Sequence, residues 1–494
     1  MRRRRSTASI TAAKWARTWR SGWTARSSPR SPSTATAKDK PPKGSICNWR
    51  KEGSAMKYTK TLSLLLAGAM LAGALAGCHD SGQETEQTAE VKYDPQEAIA
   101  PYVDNLPEIP EADKDYVIEM GYNNCDHMVA AIIGQDTGLY EALGLNVNIT
   151  KTSQVASAMA SGDMVVGYAG FSGLINNYNK GAQVIMPAGS HLGGAMYLVV
   201  SPDVESLDDV VGKTLDMGPD SQYSTFWLEI CDKLGIPSDI GTYYQGSSMG
   251  DEDAMMALRA GQLDIFTCCD PYASIAEQEG FGKILATAWH ADVKEDKSTG
   301  WGIHCGYYIN ADFAEAHPEL TTRLVLAHCL AIKYMYQHPY SAGEMFAETF
   351  GTSKDVGLRT MYLKTNAEGR TLCWTIDESN MENYETWYDQ LGVPEEERVL
   401  VTDVDGFMDL SWLDKCGIED FDTFIAEEKI DEVQPIGMSY ADWLYMAEEI
   451  DGIDHESTVG KTVDKWMEGG NTTESPIEPY TGDGVYVAPY HQAS

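Results

Sequence analysis

Basic residues are scarce in this 494-residue chain, where 37 Lys and Arg stand against 74 Asp and Glu for a formal net charge of −37. What basic charge there is gathers early: residues 1–77 hold 16 Lys and Arg and 2 acids, which leaves 21 against 72, or −51, from residue 78 onward. Such a surface excludes nucleic acid and anionic membrane as natural partners, because both are held by Lys and Arg. Cys-X-X-Cys pairs and His-Glu-X-X-His runs are also missing, so spacing supports no structural zinc and neither metal nor cofactor is expected. No apolar run is long enough for a comfortable membrane span of roughly 20 residues.

The uncharged stretch at 61–76 has a different meaning. It follows Met56-Lys57-Tyr58-Thr59-Lys60 and ends in Leu75-Ala76-Gly77-Cys78. Lys57 and Lys60 make a positive n-region, the stretch is an apolar core of signal-peptide length, and small residues precede the cysteine. The pattern resembles the bacterial lipoprotein signal, which implies export and a lipid on Cys78. Residues 1–55, rich in Arg and Ser without periodicity, lie upstream of a complete signal and read as an over-extended start. The signal is 56–77, and polar 78–105 is a tether. Eight cysteines follow Cys78, and in an exported chain they can pair, although spacing does not say how.

Beyond the tether, short apolar runs at 116–120, 145–149, 164–168, 213–217, 242–245 and 263–267 read as strands. They alternate with helical periods at 126–133, 154–161, 222–234 and 251–260. This alternation predicts α/β structure with largely parallel sheets. Ala158-Met159-Ala160-Ser161-Gly162-Asp163-Met164 and Ala257-Leu258-Arg259-Ala260-Gly261-Gln262-Leu263 repeat one grammar: a helix end, a terminating glycine, a buried strand. Two lobes are expected, 106–200 with 304–376 and 201–303, joined by crossing strands at 196–200 and 304–309 that form a hinge. Pro318 opens a helix over 318–337 whose stripe of Leu320, Leu324, Ala327, Leu330 and Ala331 is core packing. Residues 377–494 read as a helical extension with a coil tail, and their function is not legible.

Four segments carry a resemblance, in order along residues 115–345. They are Gly138-Leu139-Tyr140-Glu141-Ala142-Leu143-Gly144-Leu145, Ala160-Ser161-Gly162-Asp163-Met164, Ser206-Leu207-Asp208-Asp209-Val210-Val211-Gly212-Lys213-Thr214, and Ala257-Leu258-Arg259-Ala260-Gly261-Gln262-Leu263-Asp264. The chain resembles the nitrate, sulfonate, taurine and thiamine-precursor binding proteins of ABC importers. The resemblance implies a type II periplasmic-binding-protein fold: two α/β lobes on a two-strand hinge, closing on a small solute. The long segment after residue 375 and the cysteines depart from the family pattern.

In open α/β sheets, ligands sit beyond the carboxyl ends of strands. That rule selects Asn124 and His127 after the first strand, and Phe171 and Ser172 after the third. In the second lobe it selects Ser221, Gln222 and Tyr223 before a strong helix, and Asp270 and Tyr272 after Cys268-Cys269. His191, ahead of the crossover strand, joins them. An acidic and aromatic lining without a basic cluster leans toward an organic, amine-bearing solute. No nucleophile, base and orienter spacing is legible, so the chain is not read as an enzyme. The expectation is a monomeric extracytoplasmic lipoprotein that delivers solute to a permease and its ATPase. A ligand-sensing module is one alternative. The other, a pyrimidine-precursor synthase-like enzyme, rests on Cys268, Cys269 and His127.

Overall fold

The computed structural model describes residues 92–123, 125–192, 196–217, 222–243, 249–288, 303–454 and 485–487. Residues 1–91, with the signal and Cys78, lie outside them, as do Asn124 and Ser221.

The strands are β1 (Val117–Tyr122), β2 (Asn146–Lys151), β3 (Val166–Gly170), β4 (Val184–Leu192), β5 (Met196–Val200), β6 (Leu215–Asp216), β7 (Ile265–Cys268), β8 (Lys283–Ala288), β9 (Ile303–Asn310) and β10 (Val485–Val487). They form two sheets, ordered β2-β1-β3-β9-β4 and β10-β8-β5-β7-β6. With the helical C-terminal region, this is the two-sheet α/β architecture expected. The sheets are mixed rather than largely parallel. β2, β1 and β3 run parallel, but β9 returns antiparallel between β3 and β4, and β5 runs antiparallel to β7 and β8.

Three local expectations change. Met196–Val200 pairs within the second sheet, so it begins that lobe instead of spanning the hinge. Of residues 242–245, expected as strand, 242 and 243 belong to the helix Ile240–Tyr243 and the other two lie outside the described residues. The expected tether is folded from Asp94 onward. Asp94 caps the short helix Pro95–Ile99 by accepting from the Gln96 amide, and Ile99 and Tyr102 are buried. Polar composition hid this segment, because two or three apolar side chains suffice to dock it.

The helix Pro318–Gln337 has the bounds expected of it, but it is buried well beyond one stripe, including Thr321, His328 and Lys333. A helix covered all round belongs to the interior. Here the second cover is the C-terminal region, which also closes the first sheet. β4 is an edge strand, yet all nine of its residues are buried. Its outer groups pair with residues 371–374: the Gly189 amide donates to Trp374 O at 2.8 Å and the Leu192 amide to Thr371 O at 2.9 Å. The edge is thereby blocked against foreign strands. No helix among the described residues is long and apolar enough to cross a membrane.

Candidate functional site

The two sheets meet where β1 and β7 end. There the Asp126 amide donates to Asp270 O at 3.1 Å. Around this contact the fold gathers Cys125, Asp126 and His127 from after β1, His191 from β4, Tyr197 from β5, Cys269 and Asp270 from after β7, and His304 and Cys305 from β9. All are buried except His304, which is partly exposed.

His127 is central. Its Nδ1 lies 3.0 Å from Cys125 Sγ and 3.5 Å from Cys305 Sγ, and Cys305 Sγ is 3.4 Å from His304 Nδ1. The His127 ring stacks on His191 with centroids 3.7 Å apart and planes 18° apart, while His304 stands edge-on to both, at 4.8 and 5.4 Å. Neither nitrogen of His191 has a hydrogen-bond partner among the described residues. Nor does Nε2 of His127, which has Asp126 Oδ1 at 3.2 Å but outside hydrogen-bond geometry. Burial, then neighbouring charge, holds His127 and His191 well below the ordinary histidine range and brings His304 to about 3. All three imidazoles are therefore neutral at pH 7, each with a lone pair on one nitrogen. Burial pushes the Cys125 thiol up, and its hydrogen bond to Cys269, followed by burial, pushes Cys269 up. These are thiols, not activated thiolate nucleophiles.

Beside them lies a buried ion cluster. Lys364 Nζ is 2.9 Å from Asp126 Oδ2 and 2.7 Å from Glu368 Oε2, and Tyr197 donates its hydroxyl to Glu368. Lys364 sits on a π-helical turn, Leu363–Ala367, that continues the helix Lys354–Tyr362. Such turns insert one residue and re-aim the side chains that follow. Burial raises Asp126 to about 7 against the pull of Lys364.

The same helix grips the second lobe. Asp270 accepts from the Ser274 amide at 3.0 Å, the Ser274 hydroxyl at 2.8 Å and Thr360 Oγ1 at 2.8 Å. Arg359 donates to Ser274 Oγ at 2.5 Å and pairs with Glu277 at 3.3 Å, and Ser353 donates to Gln278 at 2.8 Å.

Of the residues selected from sequence, the fold unites His127, His191 and Asp270. Asp270 spends its carboxylate on Ser274 and Thr360 within the protein. Tyr272 instead lines a groove of about 280 Å³ with Lys151 and Arg259. Phe171 is buried against Tyr384 of the C-terminal region, with centroids 5.1 Å apart, and Ser172 is exposed. Gln222 and Tyr223 are half-buried ahead of the helix Thr225–Leu234. Sequence reasoning passed over Cys125, Tyr197, His304, Cys305, Lys364 and Glu368. The pairing of His304 with Cys305 at a lobe crossing was the signal available for two of them; Lys364 and Glu368 left none.

Residues 111–348 match the NMT1-like family. Among solved structures, the alkanesulfonate-binding protein SsuA of Xanthomonas axonopodis pv. citri is 15% identical, covering 60% of this chain and 97% of its own, with a TM-score of 0.47. The periplasmic aliphatic sulphonate binding protein SsuA of Escherichia coli is 17% identical over 60% and 91%, at 0.44. The periplasmic nitrate-binding protein NrtA of Synechocystis PCC 6803 is 11% identical over 65% and 92%, at 0.45. No curated protein matches this sequence. The matched stretch, residues 111–348, spans the first sheet and all of the second but β10, and it is there that the chain is similar to the NMT1-like family.

Proposed function

We propose that this protein is the extracytoplasmic substrate-binding component of an ABC importer. It holds a small solute where its two sheets meet and presents the closed form to a permease. The carrying observation is that strand ends from both sheets deliver buried polar side chains to one place, joined by the Asp126 to Asp270 hydrogen bond. A solute held there touches both halves at once, and that differential contact is what shifts a two-lobed protein toward closure. The Leu75-Ala76-Gly77-Cys78 signal supports export and a lipid anchor.

Residues 79–494, purified without the signal, are the material for the test. Native mass spectrometry for a retained molecule, and thermal shift against alkanesulfonates, nitrate, small amines and divalent metal salts, should find one class that binds. A ligand present at a hundred times its Kd adds about 2.7 kcal/mol of stability. Absence of any ligand in both assays, with unimpaired solute uptake in cells lacking the protein, defeats the proposal. Lipidation is read separately: Cys78→Ala should abolish incorporation of labelled fatty acid.

A further inference from the structure

We propose that the lobe junction is a transition-metal site, built from His127, His191 and His304 with Cys125, Cys269 and Cys305, and that it takes a borderline divalent cation of the zinc type. The inference rests on the junction being the solute site and names the class of solute.

The residues group by position alone. Cys125, Asp126, His127 and Cys269 bring one ligand atom each within 4.8 Å of one another, and so do His127, His191 and His304. His127 belongs to both sets, so the two form one continuous cluster. Nitrogen and sulfur donors in that mixture suit zinc and its neighbours, whereas oxygen-rich sites suit magnesium or calcium. Spacing agrees as well. Zinc to sulfur of about 2.3 Å and zinc to nitrogen of about 2.05 Å, set at tetrahedral angles, give a nitrogen to sulfur edge of about 3.6 Å. Cys305 Sγ lies 3.5 Å from His127 Nδ1 and 3.4 Å from His304 Nδ1. The Cys125 contact, at 3.0 Å, must open by about 0.6 Å to reach that edge.

A second observation is independent of the grouping. His191 is fully buried, and neither of its ring nitrogens has a hydrogen-bond partner among the described residues; His127 Nε2 has none either. Buried polar atoms in folded proteins are nearly always satisfied, and each orphan is costly. A histidine core built only for packing would use the ring edges, as His328 does with Tyr168 and Gly189 O. Among the described residues His191 leaves both ring nitrogens unpaired, and His127, whose Nδ1 already meets the Cys125 and Cys305 thiols, leaves Nε2 unpaired. The neighbouring charge also permits a cation, since the single Lys364 faces both Asp126 and Glu368. On binding, a cysteine thiol gives its proton to solvent and its sulfur lone pair to the metal; no oxidation state changes.

Reduced, chelator-treated protein comprising residues 79–494 is titrated with cobalt(II) and then with zinc chloride. A thiolate-to-cobalt charge-transfer band that saturates at one equivalent and is displaced by zinc is expected. Cys305→Ser and His191→Gln should each weaken zinc binding by more than the roughly 10–100-fold typical of outer-shell changes, and Cys305→Ser should diminish the cobalt band. Cys416→Ser, at a C-terminal cysteine that belongs to neither ligand group, should change neither. The thermal midpoint of each metal-free variant separates loss of ligand from loss of fold, and the cobalt spectrum of the unaltered protein needs no variant. Absence of the band, or zinc affinity indifferent to both substitutions, overturns the metal site. If organic solutes or anions bind in that case, the importer reading stands alone. If nothing binds, both fail.

Discussion

Replacing Lys364 with methionine takes the cation from between two carboxylates that are shut away from solvent. Lys364 is 1% exposed, and Asp126 and Glu368 are 0% exposed. Removing one partner of a buried ion pair costs about 3–5 kcal/mol, against about 0–1 kcal/mol for a surface pair. Two carboxylates are orphaned at once, which places Lys364→Met near the upper end of that range at neutral pH. The loss also depends on pH. Burial holds the Glu368 carboxyl above its ordinary range, outweighing Lys364 and the hydrogen bonds from Lys364 and Tyr197, and removal of Lys364 raises it further. A carboxyl raised in the folded state contributes stability below its unfolded pKa, about 4.3, and loses it as pH climbs through the folded value. The deficit should therefore be smaller at about pH 5 than at about pH 8. Guanidinium denaturation followed by tryptophan fluorescence reads both, and adding Glu368→Gln should recover part of the loss by removing one stranded charge. A deficit below about 1 kcal/mol at both pH values, or no recovery in the double variant, refutes the reasoning.

Tyr102 and Glu419 test the docked N-terminal segment. The Tyr102 hydroxyl donates to Glu419 at 2.9 Å and accepts from Lys333 at 2.7 Å, while Lys333 also pairs with Glu419. Burial pushes the Glu419 carboxyl up, but Lys333, a backbone amide and Tyr102 bring it below its usual value. That contribution, about 1 kcal/mol, is present above about pH 4.3 and is lost as pH falls below it, so the thermal midpoint of Glu419→Gln should lack this acid-limb drop. Gly357→Ala puts a methyl group against Gly343 O and 2.8 Å from Ala347 Cβ, across two packed helices, and should cost about 1–3 kcal/mol in denaturation. Gly173→Ala, which meets nothing within 4 Å, should not destabilise. Thr360→Val leaves Asp270 Oδ2 with Ser274 alone and should cost about 1–3 kcal/mol, read as a shift in guanidinium midpoint.

Local grammar was legible wherever one residue stretch decides its own conformation. Pro318 and the apolar stripe behind it delimit Pro318–Gln337 to the residue, and Gly162 and Gly261 end their helices with positive φ as the repeat implied. Sheet order was less legible, because the antiparallel return of β9 depends on pairing partners more than a hundred residues away. The site was legible only in fragments. His127 follows from the strand-end rule and His191 was added from the loop ahead of the crossover strand, but the metal-ligand rule looks for short spacings such as Cys-X-X-Cys. Here the donors come from residues 125–127, 191, 269 and 304–305, so no spacing rule can see them. Lys364 escapes for another reason: a π-turn has no signature in hydrophobic periodicity, and its aim follows from the backbone alone. Polar composition misled in the segment that holds Ile99 and Tyr102, since a few apolar anchors outweigh many solvated neighbours.

The side chains of Ser353, Arg359 and Thr360 reach across to Asp270, Ser274, Glu277 and Gln278. They act as a latch between the helix that carries them and the segment after β7, reaching from Gln278 inward to Asp270 at the junction itself. Any path by which the halves swing apart has to unfasten it first, whatever the pocket contains. Readiness to part is thus written partly into Ser353, Arg359, Glu277 and Gln278, which lie outside the Asp126 to Asp270 contact and can be altered without touching it.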